Sequence, residues 1–168
     1  MWIILLYTSL HAQNLRTNPV AWVIGPNLRL DAQVAHAWTI GVTATHTDRE
    51  INAVKVSGSS AGVVLGCDFY GAFKDSWFID LGSAYGDYTV SAVNPSGTTT
   101  DKKLHNINTR LILGYAWFWE AFNIALGAGV ETNSSGGGTL NDENGNPTAK
   151  IPIPTTGLGT EAALGWVF

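Results

Sequence analysis

Residues 151–168 read IPIPTTGLGTEAALGWVF and give the clearest indication of the fold. Alternate positions form a mostly apolar set that ends in aromatics: Leu158, Thr160, Ala162, Leu164, Trp166 and Phe168. The intervening positions form a set of small residues with one carboxylate: Gly157, Gly159, Glu161, Ala163 and Gly165. Successive side chains of a β-strand point to opposite faces. The stretch is therefore predicted to be a strand with lipid or a core on one face and a crowded polar space on the other.

The same alternation recurs upstream, most clearly at residues 28–34. Leu28, Leu30 and Val34 alternate with Arg29 and Asp31. An arginine that faces lipid at mid-depth costs on the order of 2–4 kcal/mol. If the chain is a membrane barrel, Arg29 and Asp31 must therefore face its lumen.

Seven strands are predicted, and an eighth is needed because single-chain bacterial barrels have even strand numbers. The eighth is placed at residues 14–24, with Val20, Trp22 and Ile24 on one face and a turn at residues 25–27. The fold class predicted for residues 13–168 is thus one all-β domain, an eight-stranded antiparallel up-and-down transmembrane β-barrel. The seven better-marked strands cover residues 28–34, 38–45, 53–70, 77–93, 104–119, 122–131 and 151–168.

The composition supports a membrane barrel. Only 13% of the residues are charged, against roughly 25% in soluble domains. The chain has 19 Gly and 7 Trp, its mean hydropathy is only +0.09, and no apolar run approaches the ~18 residues of a membrane helix. A net charge of -4 gives no reason to expect nucleic-acid binding. The single Cys67 excludes an intramolecular disulfide.

Short and long connections alternate along the chain, and the aromatic residues lie near the short ones. Short turns are predicted near Ala35, Lys74 and Glu120, and long polar loops at residues 46–52, 94–103 and 132–150. Outer-membrane barrels have short periplasmic turns and longer outer loops. Aromatic residues gather near the short turns, which predicts a girdle at the periplasmic interface. Its predicted members are Trp38, Phe69, Trp77, Trp117, Trp119 and Phe122.

With these features the sequence resembles small bacterial outer-membrane β-barrels of the OmpA transmembrane-domain and OmpX kind. Their last strand commonly ends in Phe with an aromatic two residues earlier, and Phe168 and Trp166 match that pattern. The resemblance implies an integral outer-membrane protein, free of cofactors, that contacts outer-membrane lipids. It also implies that the barrel-assembly machinery reads the C-terminal strand. A monomer is expected, and the role would be envelope integrity or binding through the outer loops, with the external ligand unidentified.

The predicted lumen carries six charged side chains, at Arg29, Asp31, Asp68, Asp80, Arg110 and Glu161. An eight-stranded barrel is wide enough only for side chains or one small ligand. Charges in so dry a space must be paired. The first interpretation is therefore a salt-bridge network that plugs the lumen, and the second is a narrow ion path or small-ligand site.

Two other functional classes were compared with this one. A lipid-modifying outer-membrane enzyme would place Ser and His together; His46 and His105 lie near predicted outer strand ends, but no deacylase-type His-x-Ser-Asn arrangement is present. We therefore predict no enzyme activity, no cofactor and no metal. A soluble lipocalin-like barrel would instead turn its apolar positions inward. Residues 1–12, MWIILLYTSLHA, are expected to be a signal-peptide remnant or leader.

Overall fold

The structure, a computed structural model, describes residues 13–19, 25–51, 54–93, 99–134, 138–141, 147–151 and 155–168. It gives no side-chain description for residues 51, 93, 100, 138–141 and 147–151. The expected leader at residues 1–12 and the predicted strand face with Val20, Trp22 and Ile24 lie outside the described residues.

Eight antiparallel strands close into one barrel, and a two-stranded hairpin lies outside it. The predicted eight-stranded, all-β barrel is confirmed. The strands are β1 (Gln13–Thr17), β2 (Asn27–Ala35), β3 (Trp38–Ile51), β4 (Val54–Asp68), β5 (Ser76–Val93), β6 (Thr99–Trp119), β7 (Phe122–Asn133), β8 (Gly138–Asn141), β9 (Pro147–Ile151) and β10 (Thr156–Val167). Around the barrel they follow the order β1-β10-β7-β6-β5-β4-β3-β2, so β1 meets β10 at the closure, while β8 and β9 form the hairpin.

The closure depends on the first strand, which the sequence marks weakly. Strand β1 pairs with β10 from Asn14↔Val167 to Thr17↔Leu164 and with β2 from Gln13↔Ala32 to Arg16↔Arg29. Two backbone hydrogen bonds between Gln13 and Phe168, at 3.2 and 3.0 Å, extend the ladder to the C-terminus. The predicted turn at residues 25–27 is only partly correct, because Asn27 already belongs to β2.

The two faces of the barrel reverse the burial of a soluble protein. Large apolar side chains such as Leu28, Val63 and Leu81 are 51–59% exposed on the outer face. Charged side chains such as Arg29 and Asp31 are at most 6% exposed on the inner face. This arrangement is opposite to the one that a lipocalin-like barrel requires.

The predicted polar loops were wrong in extent. Strand β3 continues through residues 46–51, β6 begins at Thr99, and residues 132–150 contain the end of β7 as well as the hairpin β8–β9. These polar stretches lack a clear apolar-polar alternation. They are strands because pairing with a neighbour satisfies their backbone groups in the ladder, whatever their side chains contact.

The short turns form a connected floor at one end of the barrel. Ala72 N donates to His36 O at 2.8 Å, and Val167 N donates to Ala121 O at 2.7 Å. Glu120 has a φ of 53° in the two-residue turn between β6 and β7. A hydrogen bond between two turns, and one from the end of β10 to the turn after β6, therefore fix the ends of neighbouring strands relative to one another.

An apolar cluster fills the lumen just above this floor. It consists of Phe78, Ile112, Ala116, Ala125 and Ala163, with Phe118 packed against it. Phe118 thus lies inside the barrel, between Trp117 and Trp119, which were predicted to belong to the girdle. In the part of the chain that the structure describes, no helix has the length and hydropathy needed to cross a membrane.

Candidate functional site in the barrel lumen

Arg29 is the centre of the polar lumen. Its Nε lies 2.7 Å from Asp31 Oδ1, and its Nη1 hydrogen-bonds to Asp80 Oδ2. The same Nη1 lies 3.5 Å from Glu161 Oε1. A guanidinium group presents several donors in a planar fork, so one arginine can join three carboxylates from β2, β5 and β10.

Two further arginines flank this hub. Arg110 Nη2 lies 3.2 Å from Glu161 Oε2, and Arg16 Nε lies 3.3 Å from Asp31 Oδ2. The carboxylate oxygens in these two pairs make no aligned hydrogen bond in the structure, and neither does Arg16 Nε. These contacts are therefore ion pairs held by charge, whereas the Arg29 contacts to Asp31 and Asp80 are hydrogen-bonded.

Asp68 is the one predicted lumen residue outside these ion pairs. It is 3% exposed on β4 and interacts electrostatically with Arg16 and Asp80. None of the ion pairs between described residues includes it. The structure therefore places five of the six predicted residues in one connected network and Asp68 beside it.

Glycines on the inner face make room for the network. A Cβ at Gly41 would lie 2.2 Å from Asp31 Oδ1, and one at Gly66 would lie 2.4 Å from Thr39 Oγ1. Real Cβ atoms do not approach other atoms so closely. Glycine at positions 41 and 66 therefore leaves the space that the Asp31 carboxylate and the Thr39 hydroxyl occupy.

The space around the network is closed from below and small. A cavity of about 80 Å³ lies among Arg16, Arg29, Arg110 and Glu161, room for only a few water molecules. Below it is the apolar cluster, and toward the floor Asn123 Nδ2 donates to Asn14 Oδ1 at 2.9 Å across the closure. Apolar packing and an amide pair therefore block the lumen on the turn side.

A wider polar cavity opens on the opposite side of the network. It has a volume of about 390 Å³ and is lined mainly by hydroxyl and amide side chains, with Arg110 and Glu131 as its charged residues. Asn133 Oδ1 accepts from Asn106 Nδ2 at 2.8 Å and from Asn108 Nδ2 at 3.1 Å. The side chains that line this cavity are therefore partly engaged with one another.

The charged side chains of the lumen limit which ions it can bind. Three arginines, Arg16, Arg29 and Arg110, face the four carboxylates Asp31, Asp68, Asp80 and Glu161, so the layer is not an attractive binding site for anions. Within the described residues, no group of three or more His, Cys, Asp or Glu side chains is arranged to hold a metal ion. The ion pairs of these residues join side chains from β1, β2, β5, β6 and β10.

The residues proposed for the aromatic girdle and the terminal signal lie at the turn end of the barrel. Trp38, Phe69, Trp77, Trp119 and Trp166 are 46–57% exposed, and Phe168 is 67% exposed. Trp117 and Phe122 are half-buried. In the register, Trp119 pairs with Phe122, which pairs with Trp166.

Sequence reasoning missed several buried polar residues. Arg16, Asn14 and Asn123 are at most 4% exposed. The signal for Arg16 was a brief alternation of Asn14, Leu15 and Arg16, too short to distinguish a strand from a loop. Asn123 sat on a predicted inner face, but its partner Asn14 is 109 residues away in the chain.

Comparisons with known proteins identify the fold. No protein-family model and no curated protein sequence matches the chain. Its structure is similar to the N-terminal β-barrel domain of Pseudomonas aeruginosa OprF, with a TM-score of 0.53, 8% identity, and coverage of 94% of this chain and 97% of that one. Neisserial surface protein A gives a TM-score of 0.48 at 8% identity, covering 93% of both chains. The attachment invasion locus protein Ail of Yersinia pestis gives 0.47 at 13% identity, covering 94% of this chain and 93% of that one. The chain thus has the closed eight-stranded barrel fold found in small bacterial outer-membrane proteins.

Proposed function

We propose that this protein is an integral component of a bacterial outer membrane. We further propose that its barrel is plugged and serves as a scaffold for envelope integrity or for binding through its outer end. The observation that carries the proposal is the reversed burial, with a band of large apolar side chains outside and a charged network inside. Exposed apolar patches far larger than a few hundred Å² indicate a surface that contacts protein or membrane.

The height of the apolar band supports this assignment. On β5 the outward positions run from Trp77 through Ile79 and Leu81 to Tyr85, and Asp87 is the first charged residue among them. Ten residues at ~3.4 Å each, tilted by about 40°, span roughly 26 Å. The apolar band of outer-membrane barrels is about 25 Å tall.

The contents of the lumen support a plug. Ion pairs from Arg29 join β2 to β5 and β10 across the barrel, and the apolar cluster with Phe78 and Ile112 lies beneath them. A hydrated ion would have to break these contacts and displace the packed side chains. Conduction is therefore not expected.

The enzyme interpretation has less support in the lumen, although His46 Nδ1 lies 3.0 Å from Ser59 Oγ on the outer surface. In the described part of the lumen, arginines pair with Asp31, Asp80 and Glu161 but not with Asp68, and no Ser–His–carboxylate relay occurs there. We propose a non-catalytic role, and we propose that the barrel-assembly machinery reads Trp166 and Phe168 at the end of β10.

Detergent extraction followed by electrophoresis of heated and unheated samples tests the membrane assignment. We expect a barrel that needs detergent for solubility and migrates differently after heating. A protein that stays monomeric in buffer without detergent would contradict the assignment.

Planar-bilayer recording tests the plug in a separate experiment. We expect no stable open channel from the purified, folded protein. Reproducible unitary conductance would reject the plug and leave the membrane assignment intact.

A further inference from the structure

The polar cavity at the outer end of the lumen has the size and the wall of a ligand site. Its volume of about 390 Å³ lies within the ~300–1,000 Å³ range of ligand sites. Hydroxyl and amide side chains from β3, β4, β5 and β6 line it, among them Thr43, Thr45, Ser60, Tyr88, Asn106 and Asn108. Each of these groups both donates and accepts hydrogen bonds, so the wall favours a ligand with many polar groups.

The register of four strands explains why this part of the lumen is open. Two rows of paired inward residues cross the sheet here: Thr45, Ser60, Gly86 and Asn106 in the outer row, and Thr43, Gly62, Ala84 and Asn108 in the row nearer the network. Glycine or alanine occupies the centre of both rows. Space is therefore left between the hydroxyl groups of β3 and β4 on one side and the amide groups of β6 on the other.

Tyr88 adds an aromatic surface to this wall. Its phenol end lies over Gly86, where a Cβ atom would be 2.5 Å from Tyr88 Cε2 and 2.7 Å from Tyr88 Oη. Only glycine at position 86 leaves room for the ring there. An aromatic ring beside hydroxyl and amide groups can contact the C–H groups of a sugar while the neighbouring polar groups bond its hydroxyls.

A smaller adjoining cavity, of about 80 Å³, indicates which polar group of a ligand fits. The two cavities share Thr43, Thr45 and Arg110 as lining residues. Arg16 and Glu161 also line the smaller cavity. Within the described residues, Arg16 Nε and Glu161 Oε2 are buried atoms without an aligned hydrogen bond. One of them is a donor and the other an acceptor, and a hydroxyl group matches both because it donates and accepts at once.

The charges around the larger cavity favour an uncharged ligand. Arg110 and Glu131 are its charged lining residues, and they face each other in the register of β6 and β7. Arg110 Nη2 also lies 3.2 Å from Glu161 Oε2, so the positive charge of Arg110 is already compensated. An ionic ligand would bring an unpaired charge to a wall whose own charges are balanced, and burying such a charge is costly.

We propose that this cavity binds a small, uncharged, polyhydroxylated molecule of the class of mono- and disaccharides. One hydroxyl of the ligand enters the smaller cavity between Arg16 and Glu161, and a sugar ring packs on Tyr88. The inference rests on the proposed function and deepens it, because it names a ligand class for the outer end of the barrel. The apolar cluster below the network stays closed, so the site binds the molecule without passing it.

Saturation-transfer-difference NMR of the folded full chain in detergent tests this proposal. The uncharged probes are glucose, galactose, mannose, N-acetylglucosamine and maltose. The charged probes are glucuronate and, in mildly acidic buffer where its amine is protonated, glucosamine. We expect at least one uncharged sugar to bind saturably and about tenfold more tightly than either charged probe, because the charged probes lose water without gaining a counter-charge.

Three substitutions locate the binding. Ala84→Phe fills the larger cavity from its centre and should remove the saturable signal. Ser83→Phe is the matched control, because Ser83 precedes Ala84 in β5 but is exposed on the outer face. Thr45→Val combined with Ser60→Ala removes two hydroxyl groups without adding bulk and should weaken sugar binding about tenfold.

Four results would overturn the proposal: no saturable binding of any uncharged sugar, equal or tighter binding of a charged probe, equal losses in the Ala84→Phe and Ser83→Phe proteins, or unchanged affinity without the two hydroxyl groups. Heat-modifiable mobility shows whether each variant is folded. A folded, detergent-dependent barrel that binds no sugar contradicts this inference alone and leaves water as the occupant of the cavity. A protein that stays monomeric without detergent contradicts the proposed function.

Discussion

At the scale of single residues, the ion-pair network of the lumen depends on one arginine. Arg29 contacts Asp31, Asp80 and Glu161 from three strands and is 7% exposed in its side chain. Burying such charges costs several kcal/mol per ion, and the cost is offset only while every partner is present. The network is therefore more sensitive to the loss of one member than its number of contacts suggests.

Arg29→Ala should lower the free energy of unfolding by about 3–5 kcal/mol, because it leaves buried carboxylates without their shared partner. Urea titration of the folded protein in lipid vesicles, followed by tryptophan fluorescence, measures the change. Arg49→Ala is the control: Arg49 is exposed, and its removal should change stability by less than about 0.5 kcal/mol. A loss below about 1 kcal/mol for Arg29→Ala would show that the network contributes little.

Two glycines provide a matched test of crowding in the lumen. A methyl group at Gly41 would meet Asp31 Oδ1 at 2.2 Å, whereas one at Gly157 would meet no atom within 4 Å. Gly41→Ala should therefore destabilise the barrel by about 1–3 kcal/mol, the usual cost of overpacking. Gly157→Ala should be neutral or slightly stabilising in the same urea titration. If Gly41→Ala lowered the free energy of unfolding as little as Gly157→Ala does, the inner face would tolerate extra volume at both positions.

At the scale of strands, stability is distributed unevenly around the barrel. Strand β6 has 21 residues and pairs with β5 from Thr99 to Ala116 and with β7 from Asn108 to Trp119. Strand β1 contributes five residues, yet it alone joins β10 to β2. The closure is thus held by a short ladder, supplemented by the Asn14–Asn123 amide pair.

Hydrogen exchange should reveal this difference. Amides of β1 are expected to exchange faster than those in the centre of β6, because short ladders open with lower free energy than long ones. Deuterium uptake of peptides covering residues 13–17 and 107–115, measured by mass spectrometry in detergent, compares the two. Equal protection would show that the barrel opens only as a whole.

At the scale of the whole molecule, the outer surface is divided by depth. Leu81 lies in the middle of the outward apolar residues of β5, and Thr89 lies above Asp87 on the same strand and face. Lipid around Leu81 disfavours a charged side chain, whereas water around Thr89 tolerates one. The depth at which a charge is tolerated therefore reports the environment of the barrel.

Leu81→Arg should destabilise the membrane-embedded barrel by about 2–4 kcal/mol, and Thr89→Arg by about 0–1 kcal/mol, as expected from their depths. Refolding into lipid vesicles across a urea series measures both values. A Leu81→Arg protein that is as stable as the Thr89→Arg protein would contradict a lipid-facing position for Leu81.

The sequence pattern predicted seven of the eight barrel strands, their faces and the approximate positions of the short turns. These features follow from the two-residue period of a strand. The period can be recognised in the sequence where apolar and polar residues alternate, as Leu30 and Arg29 do. The pattern underestimated β3 and β6, because their outer ends carry polar residues on both faces and therefore show no such contrast. Residues on both sides of Arg29 indicated that it faces inward, but not which carboxylates it meets.

The side-chain partners of Arg29 follow from the tertiary fold and not from the sequence pattern. Arg29 and Glu161 are 132 residues apart in the chain, and they meet because eight strands close with one register. The same register sets Ala44 beside Ala61, and this pair lies between Leu28 and Tyr85 on the outer surface. Alternation within a strand is a local property, whereas contacts across a closed sheet depend on the stagger of every strand pair. That stagger is fixed by the packing of all the strands together.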